Sequence, residues 1–167
     1  MDRARTAQFE RVVRDYESAV GNYLRRRLYP LSAGDLDDLV AETFTVVWRR
    51  FDALPSDAEL PWIIGVARNV LRNAQRSRHR RSTYEGAVNP RGYTPSPEDI
   101  VIADARLRHA LESLRADERE ILLLHEWDGL AVAEVARVIG VTPDAAAVRL
   151  SRVRSRFRAS YDSWGES

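Results

Sequence analysis

The chain of 167 residues contains no cysteine and no lysine. No apolar run in it approaches the roughly 18 to 20 residues of a membrane span. Without cysteine, disulfides and thiolate metal sites are excluded, and a cytoplasmic location is the simple reading. The opening stretch MDRARTAQFERVV lacks the apolar core of a signal peptide, so no membrane insertion is expected. His79, His109 and His125 have no metal-ligand spacing among them, and neither a metal nor another cofactor is expected. Arginine stands in for lysine throughout; a G+C-rich coding bias accounts for this, and the abundant alanine agrees with it.

What is present is unevenly distributed. The formal net charge is only +1. Yet residues 68–81 contain six arginines and no acid, residues 149–158 contain five and no acid, and residues 35–42 contain four acids and no base. A chain that needed charge only for solubility would intersperse the signs.

Helical periodicity runs through most of the sequence. Phe9, Val12, Val13, Tyr16, Val20, Tyr23 and Leu24 predict an amphipathic helix over 6–28, broken by Pro30 and Gly34. Leu36, Leu39, Val40, Thr43, Phe44, Val47 and Phe51 predict a second helix, with Asp35 as its N-cap and acids in its first turn to suit the dipole. After a loop at 52–60, Pro61 opens a third helix whose apolar side is Ile63, Val66, Ala67, Val70, Leu71 and Ala74. Its polar side carries Arg68, Arg72 and Arg76 at i, i+4, i+8, with Asn69 and Asn73 beside them. Like charges at that spacing cost a few tenths of a kcal/mol per pair, roughly, unless a polyanion turns the repulsion into binding.

Residues 82–95 hold two glycines and two prolines without periodicity and read as a linker. Order is expected to resume at Ser96, an N-cap followed by Pro97, with Ile100, Ala103, Leu107, Ala110, Leu111 and Leu114 on the apolar face. Asp117 and Glu120 give a capping-box-like start to the next helix. Asp128-Gly129 ends it, a short helix runs to Gly140, and Thr142-Pro143 caps the last one. The expected fold is all-α: two small helical domains, 1–81 and 96–167, joined by a flexible linker at 82–95.

In the last helix the run Val153 to Arg158 alternates apolar and basic as a strand does, but no pairing partner is in sight. A helix accounts for more. Ala146, Leu150, Val153 and Phe157 then make one apolar stripe, with Arg149, Arg152 and Arg156 opposite and Arg154 and Arg158 flanking. The helix over 130–139, the turn and this basic helix form a helix-turn-helix, whose second helix enters the DNA major groove.

Three blocks in this order, DLDDLVAETFTVVWRRF, PWIIGVARNVLRNAQRSRHRR and LESLRADEREILLLHEWDGLAVAEVARVIGVTPDAAAVRLSRVRSRFR, resemble a sigma-70 family RNA polymerase sigma factor of the extracytoplasmic-function group. The resemblance spans roughly residues 6 to 160. It implies that the first domain is a sigma-2-like bundle and the second a sigma-4-like helix-turn-helix domain. It further implies docking on core RNA polymerase through the second helix, with Asp35, Asp37, Asp38, Glu42 and Arg49 as candidates, while Leu39, Phe44 and Val47 are core. The loop at 52–60 and the third helix correspond to the reader of the promoter's minus-ten element, with Arg68, Asn69, Arg72, Asn73 and Arg76 as candidates and Trp62 as core. The helix-turn-helix corresponds to the reader of the minus-thirty-five element, through Thr142, Arg149, Arg152, Arg154, Arg156 and Arg158. A separate anti-sigma protein is implied as a restraint.

The chain departs from the family pattern at Ala145-Ala146-Ala147, where polar residues are usual, at Ala41, where glutamine is common, and at Ala131, where a Ser or Thr cap is usual and Asp128 is the expected substitute. A helix-turn-helix regulator outside the polymerase leaves the first domain unexplained. An enzyme acting on nucleic acid is not expected, because the acids of 35–42 crowd onto one helix start instead of converging as metal-binding carboxylates.

Overall fold

A computed structural model describes residues 3–28, 31–84 and 104–164. Every regular element among them is helical: α1 (Arg3–Arg25), α2 (Leu36–Arg49), α3 (Glu59–Tyr84), α4 (Ala105–Glu112), α5 (Ala116–Glu126), α6 (Val132–Ile139) and α7 (Pro143–Asp162). They fall into two compact units, α1–α3 and α4–α7.

In the first unit each helix packs on the other two. The stripes read from the sequence meet in one core: Val12, Val20, Tyr23 and Leu24 from α1, Leu39, Phe44 and Val47 from α2, and Ile63, Ile64, Ala67, Val70 and Leu71 from α3, all buried. Burial of each large apolar side chain is worth about 1.5 to 3 kcal/mol. At one end Phe9 meets Trp48 and Phe51 edge-on, with ring centroids 5.0 and 5.7 Å apart. Trp62 is half-buried beneath the Arg50 guanidinium. Arg27 is buried after α1; it donates to the Tyr23 carbonyl at 3.1 Å, and Gln75 of α3 donates to the Arg27 carbonyl at 2.9 Å.

Three boundaries in this unit differ from the sequence expectation. A 3₁₀ turn over Ala33–Asp35 precedes α2, so the helical stretch is entered at Ser32, not at Asp35. The Asp35 carboxylate reaches back to the Ser32 N–H at 2.7 Å and hydroxyl at 2.9 Å, which makes it the third-position half of a capping box. The expected loop at 52–60 contains a 3₁₀ turn at Phe51–Ala53, and α3 begins at Glu59, so Pro61 is its third residue. At its far end α3 continues through Tyr84, beyond the expected domain end at 81, because Ser82 and Thr83 carry no backbone break; the rest of the linker lies outside the described residues.

In the second unit α7 packs on α4, α5 and α6. Ala110, Leu111, Leu114, Ile121, Leu122, Leu124, Leu130, Val135, Ala136, Ala146, Leu150 and Val153 are buried between them. Arg119 is buried too, its guanidinium donating to the Leu111 and Leu114 carbonyls at 3.0 Å each, which satisfies the end of α4. The expected cap at Ser96 and the positions Ile100 and Ala103 lie outside the described residues. Asp104 caps α4, accepting from Arg106 N–H at 2.9 Å.

The expected Asp117/Glu120 box is displaced: α5 starts after Arg115, whose N–H donates to Glu118 at 3.0 Å. Nor does Asp128 cap α6. Ala131 holds the N-cap position, and Glu134, three residues on, accepts its N–H at 2.7 Å. Alanine is tolerated there because the reciprocal half of the box survives.

Gly140 ends α6 with φ 73°, and Val141 N–H returns to the Ala136 carbonyl at 3.0 Å. A Cβ at Gly140 would meet nothing within 4 Å, so substitution there strains only the backbone. Gly140→Ala is therefore expected to lower unfolding stability by about 1 to 2 kcal/mol, with Gly140→Asn costing less. Urea denaturation of both variants checks this ordering.

Candidate nucleic-acid interface

On α3 the sequence-read arginine face forms as one surface. Asn69, Arg72, Asn73 and Arg76 are exposed and Arg68 is half-buried. The face continues through exposed Arg80, one turn beyond Arg76, whereas exposed Arg78 and Arg81 fall in line with Leu71 and Ala74 on the other side of the helix. On α2, Asp38, Glu42 and Arg49 are exposed on the side away from Phe44 and Val47, and Asp37 is exposed on the line of Phe44, two turns before it. Asp35 differs from these because its carboxylate is engaged by Ser32. The Ser32 N–H, then its hydroxyl, hold it below the usual carboxylate range, with a smaller attraction from Arg78.

Between α2 and α3 the chain is fastened to α1 by polar contacts that no local pattern signals. Arg11 grips Glu59 with both terminal nitrogens, at 2.8 and 3.2 Å, and the Tyr16 hydroxyl donates to the same carboxylate at 2.9 Å. Arg11 foremost, and Tyr16, hold the Glu59 carboxyl below its ordinary value against the opposing effect of burial. A depressed carboxylate pKa contributes stability that is present above the unfolded value and lost as pH falls through the folded one. The grip therefore persists at neutral pH and fails only in acid.

In the second unit, α6, the turn at 140–142 and α7 form the expected helix-turn-helix. Thr142 caps α7, its hydroxyl oxygen accepting from Ala145 N–H at 3.2 Å. Arg149, Arg152 and Arg158 are exposed and make no ion pair among the described residues. The other two arginines are committed to α5. Arg154 Nε donates to Glu126 at 2.7 Å, and Arg156 pairs with Glu118, a buried carboxylate that also accepts Arg115 N–H. Arg156 lies on the same line of α7 as Arg149, seven residues earlier, so both flank the apolar stripe and neither stands opposite it as expected. At about 100° per residue, the outermost line of α7 is Val148, Ser151, Arg152 and Ser155, all exposed. Val148 is 50% exposed, an apolar group on the presented face of a charged helix.

Two family models match these units. Sigma-70 region 2 matches residues 12–81, and sigma-70 region 4 matches residues 104–157. The chain belongs to the sigma-70 family of RNA polymerase sigma factors. Its relatives include proteins named as extracytoplasmic-function members, and it falls in that group.

This sigma factor is similar to the RNA polymerase sigma factor NccH of Alcaligenes xylosoxydans xylosoxydans, 29% identical over 82% of this chain and 78% of that protein. It is 35% identical over 73% of its length to RfaY of Xanthomonas campestris, named a probable RNA polymerase sigma factor, but the match spans only 33% of that longer protein. The fold is shared with the sigma factor RpoE of Bartonella quintana, solved in complex with the anti-sigma factor NepR, at a TM-score of 0.59 and 20% identity over 96% of this chain and 98% of that one. Among the described residues no helix is long and apolar enough to cross a membrane, and no cluster of three or more His, Asp or Glu side chains could hold a metal ion.

Proposed function

We propose that this sigma factor docks on core RNA polymerase through the exposed face of α2 and directs the enzyme to promoters, without catalysing a reaction of its own. Asp37, Asp38, Glu42 and Arg49 form the docking surface, and Asp35 contributes by shaping the entry to α2. The α2–α3 connection with Arg68, Asn69, Arg72, Asn73 and Arg76 engages the minus-ten element, where a basic groove favours single-stranded DNA. The helix-turn-helix engages the minus-thirty-five element.

One observation carries this reading. Two exposed arginine surfaces lie in two separate compact units, so one chain can hold two DNA elements and gain from effective concentration. The factor acts in the cytoplasm, where polymerase and chromosome meet. A separate anti-sigma protein restrains it; the fold shared with NepR-bound RpoE supports that partner class. Co-purification from the source bacterium tests both partners at once. Core polymerase is expected in one pool and a small inhibitor in another, and absence of core polymerase from every pool rejects the docking reading.

Within α7 the roles divide. Base contact falls to Arg149, Arg152 and Thr142 near the front, and phosphate contact to Arg158; Arg154 and Arg156 act chiefly by holding α7 on α5. The alanines at 145–147 leave few side chains for base readout, although bidentate arginine on guanine discriminates by about 1 to 3 kcal/mol. Arg149→Ala is expected to relax promoter choice. Arg158→Ala is expected to weaken binding evenly and to lower the salt slope by about 1. Holoenzyme binding to a promoter panel at several salt concentrations separates the two.

A further inference from the structure

The connection from Arg50 to Ala58 is short and held from within. Ala53 N–H returns to the Arg50 carbonyl at 2.8 Å, and Ala58 N–H returns to the Pro55 carbonyl at 3.2 Å. Phe51 and Ala58 are buried at its two ends, and Ser56 and Asp57 are exposed at its tip. Each end is also tied to α1 by a charged side chain. At the first end, Arg5 donates to the Trp48 carbonyl at 3.3 Å, lies over the Trp48 ring, and reaches Asp52 at 3.5 Å. At the second end, Glu59 is held by Arg11 and Tyr16 through three hydrogen bonds.

We propose that Arg5 and Asp52 at one end, and Arg11, Tyr16 and Glu59 at the other, are positioning residues that set base selection at the minus-ten element by fixing the α2–α3 loop against α1. This rests on the reading of that loop given above.

Helix packing does not require this clasp. Val12, Val20, Ile63 and Ile64 already join α1 to α3 through the core. The Arg5–Asp52 pair is exposed at the aspartate (86%), and such pairs add about 0 to 1 kcal/mol of stability. A two-pronged guanidinium–carboxylate contact, by contrast, fixes direction as well as distance. A loop that receives an unstacked base selects it by shape and edge contacts, so small displacements of the loop erase selection before they erase affinity.

The test uses holoenzyme assembled from core polymerase and the full chain, with a pool of fork-junction DNA randomised at the single-stranded minus-ten positions. Wild type is expected to enrich a preferred base at one or more positions by about tenfold. Glu59→Gln and Arg11→Ala are each expected to reduce that enrichment to about threefold or less, with total pool affinity nearly unchanged. Their double variant should lose little more than the stronger single one, because both break the same Arg11–Glu59 contact. Arg5→Ala and Tyr16→Phe should shift enrichment in the same direction by less, and they carry the test if a stronger variant does not fold. Wild-type enrichment in variants that merely melt earlier overturns the proposal and leaves the clasp a stability feature. A wild-type holoenzyme that enriches no base at these positions overturns the minus-ten reading itself, which separates the two failures.

Discussion

Arg156→Ala is expected to lower the stability of the second unit by about 2 kcal/mol, since a buried carboxylate that loses its nearer charged partner, Arg156, and keeps only the more distant Arg115 guanidinium retains most of its desolvation cost. Glu118 is 8% exposed and would keep the Arg115 N–H at 3.0 Å and the Arg115 guanidinium at 3.8 Å. The loss stays below that of a fully buried pair because the Arg156 side chain is 54% exposed and water reaches it. For a unit of this size, 2 kcal/mol corresponds to a fall of about 8 to 16 °C in melting temperature. Arg154→Ala is expected to cost under about 1 kcal/mol, because both members of its pair with Glu126 are substantially exposed. Thermal unfolding of the two variants side by side gives the answer. An Arg156→Ala variant that melts with the wild type would mean that Arg156 is no strut.

The second large effect belongs to α3. Replacing both Arg72 and Arg76 with alanine is expected to weaken holoenzyme binding to promoter DNA by about 25- to 60-fold at 0.1 M salt, since each phosphate neutralised contributes about 0.7 to 0.9 to the slope of log affinity against log salt. The slope itself should flatten by about 1.4 to 1.8. Both side chains are exposed, whereas Val70 and Leu71 are buried in the core, so the fold is expected to survive. An unchanged salt slope would remove this face from the DNA interface.

The helices were largely legible from sequence because period 3.6 is a local signal. Leu39, Phe44 and Val47, or Ala146, Leu150 and Val153, identify their buried faces without knowledge of a partner. The cap at Thr142 and the stop at Gly140 were legible in place, whereas the starts of α2 and α5 slipped in register. Ser32 with Asp35, and Arg115 with Glu118, take the places expected of Asp35 alone and of Asp117 with Glu120. In acid-rich starts several carboxylates stand within reach of several N–H groups, and the fold selects one.

The arginine faces of α3 and α7 were legible as charge runs, but not the division of labour within them. Arg154 meets Glu126 across 28 positions, Arg156 meets Glu118 across 38, and Arg11 meets Glu59 across 48. Such partners depend on how helices cross, which no local pattern encodes. The one local hint at the clasp was Glu59, an acid at the start of a helix, where the dipole alone would explain it.

Run-off transcription with core RNA polymerase on fragmented DNA of the source bacterium tests the central claim most directly. Adding this protein is expected to yield a small set of discrete transcripts that core polymerase alone does not make. The Arg72→Ala/Arg76→Ala variant should lose them while still binding core. No transcript and no association with core polymerase, together with tight binding of the isolated chain to a duplex site, would contradict the account and make the protein a helix-turn-helix regulator outside the polymerase.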